Sequence, residues 1–123
     1  MEVFKSIHIT SELVADFARV SGDNNPLHID YEYAKKTVFG KPIAHGMLLS
    51  SFFSSIIAQD YPGPGSIYLK QDLSFLKPCF VGDMVKVAVT LIKQEGYKYF
   101  LSTKVYNAHN ELAIEGEALV LKK

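Results

Sequence analysis

From Gly46 to Gln59 the apolar pairs Leu48/Leu49, Phe52/Phe53 and Ile56/Ile57 recur every four residues, separated by Ser50/Ser51 and Ser54/Ser55, and no charge occurs before Asp60. A four-residue recurrence lies close to helical pitch. A helix with no charged face is one buried on most sides, and its serines can hydrogen-bond to carbonyls of the preceding turn. The pattern predicts an enclosed central helix.

After the YPGPG segment the period changes to two. Ile67, Leu69, Leu73 and Phe75 mark one face of a long strand, and Val85, Val87, Val89 and Leu91 mark the next. Tyr97, Tyr99, Leu101, Thr103 and Val105 alternate with more polar neighbours, and a last strand runs from about Glu111 to Leu121, where Glu115-Gly116 predicts a bulge. Short turns at Val81-Gly82-Asp83, Glu95-Gly96 and Ala108-His109-Asn110 predict an antiparallel meander.

The first third reads as helix and loop. Leu13, Phe17 and the pair Val14/Ala18 predict a helix over 11–21, capped by Ser11 or Thr10 and stopped at Ser21-Gly22. Asp30 can cap a short helix through Tyr33 and Ala34, and Gly40-Lys41-Pro42 then breaks the chain. A short edge strand is expected near Ile7 to Ile9. One buried helix followed by long antiparallel strands implies an α+β chain in which a curved antiparallel sheet wraps around the long central helix. With 123 residues, no internal repeat and no linker, residues 1–123 are expected to form one domain.

Composition narrows the function classes. Hydrophobic residues make up 48% and charged residues 21%, which suits a soluble chain with a real core. Lys plus Arg equals Asp plus Glu at 13 each, so no basic surplus recruits nucleic acid or an anionic membrane. No apolar run reaches the roughly 18 residues of a bilayer span. The opening MEVFKSIHIT has no apolar h-region of a secretory signal. The single Cys79 can form no internal disulfide, and these features together lead us to expect a reducing, cytoplasmic setting.

Two segments carry candidate chemistry. In SGDNNPLHID, Asp23 precedes His28 by five residues across a stretch broken by Asn25 and Pro26, so a carboxylate and an imidazole can fold back to manage one water molecule. In GKPIAHGMLLSSFFSS, His45 and Gly46 precede the charge-free helix, whose first N–H groups are free to face a substrate oxygen. Spacing alone leaves an Asx-type turn with an exposed histidine as the plainer reading of Asp23 and His28.

These segments, with GSIYLKQDLSFLKPCFVGD after the helix, resemble the single-domain (R)-specific enoyl-CoA hydratases of the MaoC-like hot-dog superfamily over most of residues 10–90. The resemblance implies a hot-dog fold, a homodimer with a continuous sheet, and syn addition of water to trans-2-enoyl thioesters to give the (R)-3-hydroxyacyl product. Asp23 and His28 stand where the family has its catalytic pair, and Gly46 stands where its helix N-terminus binds the thioester carbonyl. Ser54 resembles a serine lining the family's active site, though helix packing explains it equally well. Asn25 either shapes the turn before Pro26 or contacts substrate. His45 either orients the loop, contacts substrate, or is a hydrogen-bonded structural histidine.

The chemistry needs a base for water, an acid for C2 and a site for the enolate oxygen. Asp23 and His28 can fill the first two roles as a coupled pair, with the order left open. The helix behind Gly46 suits the third, and glycine permits close approach. Partners implied are an acyl-CoA or acyl-carrier-protein thioester and a second copy of the chain.

No cofactor or metal is expected. His8 sits in the edge strand and His109 in a polar turn, neither near a ligand cluster. Tyr97, Tyr99 and Tyr106 read as sheet residues, and Gly63/Gly65 lacks the Lys-Ser/Thr of a phosphate loop. A hot-dog thioesterase would place a carboxylate on the central helix, and residues 46–59 contain none. A non-catalytic acyl-CoA-binding domain would need neither Asp23 nor His28. Leu48, Phe52, Leu69 and Leu73 are the candidates for lining the acyl pocket.

Overall fold

The structure, a computed structural model, describes residues 1–123. Strand β1 (Glu2–His8) leads into helix α1 (Ser11–Ser21), where the Thr10 side chain accepts the Leu13 N–H at 3.0 Å, so the cap is Thr10 rather than Ser11. Val14 and Ala18 bury the inner face of α1. The helix ends at Gly22, in the left-handed region at φ 80°, with its N–H on the Ala18 carbonyl.

Two short helices follow, α2 (Pro26–Ile29) capped by Asn25 and α3 (Tyr31–Lys35) capped by Asp30. Helix α4 (Gly46–Gln59) is the predicted central helix. Its Leu49, Phe53, Ile56 and Ile57 are almost wholly buried against Val85, Val87, Val89, Leu101, Val105 and Val120. The Ser50 hydroxyl donates to the Gly46 carbonyl at 2.8 Å, which satisfies a buried polar group inside the helix.

The sheet is completed by β2 (Ile67–Gln71), β3 (Ser74–Phe75), β4 (Met84–Glu95), β5 (Lys98–Tyr106) and β6 (Leu112–Leu121). All pairings are antiparallel, in the order β1-β4-β5-β6-β2, with β3 also pairing to β6. Strands β4, β5 and β6 form the expected meander, and the sheet packs around α4 in a hot-dog, α+β arrangement.

Three local expectations are corrected. The first strand spans seven residues rather than a short stretch near Ile7, because Lys5 interrupts its apolar alternation. Lys5 reaches Asp60 at the end of α4 at 3.2 Å.

The long strand over Ile67 to Phe75 is broken into β2 and β3. At the break, the Asp72 N–H donates to the Glu117 carbonyl and Asp72 Oδ1 accepts the Glu117 N–H at 3.0 Å. The β2–β6 register also slips between Tyr68 and Lys70, so Leu69 is an extra residue and the period-two face is not continuous.

Glu115-Gly116 is not a bulge, since its pairing with Thr103 and Lys104 is uninterrupted. The slip on that ladder lies at Val105/Tyr106, opposite Ile114 and Leu112. Gly116 is required for a different reason: a Cβ there would stand 1.9 Å from the Asp72 carbonyl oxygen.

Candidate active site

The turn that ends α1 shapes the loop carrying Asp23. The Ser21 hydroxyl donates to the Phe17 carbonyl and accepts the Asp23 N–H, and Asp23 Oδ1 accepts the Asn25 N–H at 3.2 Å. Asn25 Oδ1 then accepts the Leu27 N–H at 3.1 Å and starts α2, so of the two roles open to Asn25 the structure shows the turn-shaping one. One turn of α2 carries His28 back toward Asp23.

The His28 imidazole is oriented from the segment before α4. Its Nδ1–H donates to the Ile43 carbonyl at 2.6 Å, which leaves Nε2 as the lone pair. His45 lies beside it, 2% exposed, with ring centroids 3.9 Å apart and 31° between planes. The His45 Nε2–H donates to the Asp23 main-chain carbonyl at 3.1 Å, and its Nδ1 is buried without a partner. Burial pushes the His45 imidazole below its ordinary range, opposed by the hydrogen bond to Asp23 and reinforced by His28. The fold thus gathers Asp23, His28 and His45 so that one ligand-type atom of each lies within 4.8 Å of the others.

Such a cluster invites comparison with a metal centre. A metal needs lone pairs that converge on one point. Here His28 Nδ1 and His45 Nε2 are both spent on main-chain carbonyls and the remaining His45 Nδ1 is buried, a poor fit to one ion. A carboxylate and a lone pair at this spacing suit a hydrogen-bonded water.

Gly46 and His28 share the wall of a cavity of about 340 Å³, completed by Leu49, Phe75, Cys79 and Ile114. No side chain caps the first turn of α4, so its N–H groups stay available beside Gly46. A Cβ at Gly46 would lie 2.4 Å from two carbons of the Phe75 ring, so the absent side chain is what lets that ring close over the helix end. Burial, with Asp83 nearby, raises the Cys79 thiol to about 11, which keeps it protonated and apolar in the wall.

The cavity differs from the sequence expectation in its lining. None of Leu48, Phe52, Leu69 and Leu73 borders it. Leu48 is buried in the core, Phe52 and Leu73 pack against its margin, and Leu69 is half exposed at the β2 bulge. Phe39, Phe75 and Ile114 take their place, brought together by tertiary packing that leaves no local pattern in the chain. Ser54 is exposed on α4 and does not border the cavity of this chain.

The comparisons with known proteins agree with this architecture. The MaoC like domain family matches residues 2–113. The chain is 49% identical over 109 residues to an (R)-specific enoyl-CoA hydratase of Aeromonas caviae, covering 87% of this chain and 81% of that protein. It is 40% identical over 117 residues to a mitochondrial 3-hydroxyacyl-[acyl-carrier-protein] dehydratase of Arabidopsis thaliana, covering 91% and 69%. The solved structure of an (R)-hydratase from A. caviae involved in PHA biosynthesis superposes with a TM-score of 0.98 at 42% identity, covering all of this chain and 95% of that one. With a matched profile over most of its length and relatives at this identity, the chain belongs to the MaoC-like domain family.

Proposed function

We propose that this chain is an (R)-specific enoyl-CoA hydratase, a hydro-lyase that reversibly adds water to a trans-2-enoyl thioester to give the (R)-3-hydroxyacyl thioester. The observation that carries the reading is the convergence of Asp23 and His28 beside a cavity whose wall includes Gly46 at an uncapped helix N-terminus. The relatives bearing hydratase and dehydratase names support it.

In this reading a water lies between Asp23 and His28. The His28 Nε2 lone pair takes one proton while the Asp23 carboxylate accepts a hydrogen bond from the other. The oxygen bonds to C3, and electrons move through C2 onto the thioester oxygen. That oxygen accepts from N–H groups at the Gly46 end of α4, where the helix dipole favours negative charge. The enolate collapses as His28 returns the proton to C2 on the same face, and water has been added syn with no net change in the protein. The reverse sequence is dehydration.

Substrates of the reading are CoA or acyl-carrier-protein thioesters. The thioesterase alternative lacks a carboxylate on α4. The test is to mix purified protein with crotonyl-CoA and follow the enoyl absorbance and free thiol separately. Loss of enoyl absorbance without thiol release supports hydration; thiol release supports a thioesterase, and neither change supports a binding domain.

We also infer a homodimer acting in the cytoplasm. Strand β2 is an edge strand with Ile67 and Leu69 about half exposed, and an unpaired apolar edge favours pairing with another strand. The free, buried Cys79 suits a reducing compartment. A monomer mass by size-exclusion chromatography with light scattering would contradict the dimer.

A further inference from the structure

We propose that His45 is the positioning residue of the hydration site: its Nε2–H holds the Asp23 main-chain carbonyl while its ring backs the His28 imidazole, so one buried side chain sets the spacing of the pair. The proposal rests on the hydratase reading and adds a residue to it.

Asp23 sits in an exposed loop whose other hydrogen bonds are local. Its N–H and its Oδ1 are both engaged by groups two residues away, at Ser21 and Asn25. Bonds of that kind shape a turn without fixing it against the rest of the molecule. The bond from His45, 22 residues further along the chain, is the one that ties Asp23 to a segment distant in the sequence.

The same ring also constrains His28. At 3.9 Å between centroids the two imidazoles are in contact, and Phe17 of α1 lies 4.9 Å from the His45 ring at 60°. The groups facing His45 are therefore Asp23, His28 and Phe17. His28 is in turn tethered to Ile43, two residues before His45. The short stretch Ile43–Gly46 thus supplies an acceptor for His28, a donor for Asp23 and the opening of α4 at Gly46, which couples all three parts to one piece of backbone.

The unpartnered Nδ1 strengthens the case. A position kept for packing alone would hold an apolar ring, since a buried polar atom without a partner is uncommon in native structures. The cost is accepted here because the opposite nitrogen is needed as a donor. Burial favours the neutral ring, and the hydrogen bond to the Asp23 carbonyl puts its one proton on Nε2, which keeps Nδ1 bare.

The test uses crotonyl-CoA hydration by the full chain with two substitutions. His45→Phe keeps a ring of similar size and removes the donor; His45→Gln carries an N–H near the position of Nε2. Displacement of a proton-transfer group by a fraction of an ångström should lower kcat of His45→Phe by about 30-fold or more while KM stays within about threefold. His45→Gln should retain kcat within about fivefold of the wild type. Wild-type kcat in His45→Phe overturns the proposal, and so does a Gln variant as impaired as the Phe variant.

Should His45→Phe fail to fold, the wild-type protein still decides. Long-range ¹H–¹⁵N spectra at about pH 7.5, above the ordinary imidazole value that burial lowers further, are expected to show His45 neutral with its proton on Nε2. A neutral ring with its proton on Nδ1 and a bare Nε2 overturns the tether. A wild-type protein inactive on enoyl thioesters would instead sink the hydratase reading, and the spectrum would still judge the hydrogen bond.

Discussion

The His28 Nδ1–H donates to the main-chain carbonyl of Ile43 at 2.6 Å, and in the neutral ring this bond puts the lone pair on Nε2, on an imidazole gathered with Asp23. A backbone carbonyl cannot donate, so the tautomer follows from the contact itself.

Replacing either member of the pair should remove most of the rate. Asp23→Asn and His28→Ala are each expected to lower kcat by about 10²- to 10⁴-fold, the usual contribution of a proton-transfer group. Asp23→Asn should leave thermal stability almost unchanged because Asp23 is exposed. His28→Ala leaves the Ile43 carbonyl without its donor and should cost about 1 kcal/mol. Steady-state kinetics with melting curves checks both, and near-normal kcat in either variant contradicts the assignment.

Gly46→Ala tests the close approach at the start of α4. The added methyl would meet the Phe75 ring at 2.4 Å, and because Phe75 is half exposed the ring can swing away. The expected outcome is a modest loss of stability with a larger loss of kcat, as the displaced ring and the methyl disturb the carbonyl site. Adding Phe75→Ala should restore stability but not rate. If the double variant recovers full kcat, the helix end is not the oxyanion site.

Gly116→Ala tests the fold away from the chemistry. Here the methyl would stand 1.9 Å from the Asp72 carbonyl oxygen, a backbone atom that cannot rotate aside. Overpacking of this kind should cost about 1–3 kcal/mol. Urea titration checks it, and an unchanged midpoint would mean that the break between β2 and β3 is soft.

The contrast between these two glycines shows what the chain discloses on its own. The placement of Asp23, His28 and Gly46 was readable because it is local, a turn between two functional groups and a glycine at the head of a helix without charge; from spacing alone the pair reads as an Asx-type turn, and the catalytic reading comes from the family resemblance. Gly116 drew notice as a bulge, since glycine within a strand marks either a bulge or a close approach, and only the tertiary position of Asp72 selects the second. Lys5 concealed the length of β1 because its partner, Asp60, lies 55 positions away in the chain. The cavity wall was misjudged for the same reason, with Phe39, Phe75 and Ile114 meeting only after the sheet closes around α4. The role of His45 depends on a carbonyl, which no side-chain pattern can encode.

A pH dependence follows from His45. Burial holds its folded-state pKa below the ordinary 6.5, so beneath that value the unfolded chain binds more protons than the native one. Its contribution to stability is therefore complete above about 6.5 and is lost as the pH falls from there through the depressed folded value, with a slope of up to about 1.4 kcal/mol per pH unit. Urea midpoints compared between about pH 7.5 and pH 5 should fall further for the wild type than for His45→Gln. Equal losses in the two proteins would contradict a neutral, buried His45.

The most direct test of the shared-water site is the stereochemistry of hydration in D₂O. Crotonyl-CoA incubated with the enzyme is expected to give 3-hydroxybutyryl-CoA of R configuration at C3, with deuterium at C2 on the face that received the hydroxyl, because Asp23 and His28 work from one side. An S product, or deuterium on the opposite face, would show that water and proton arrive from different groups and would contradict the account.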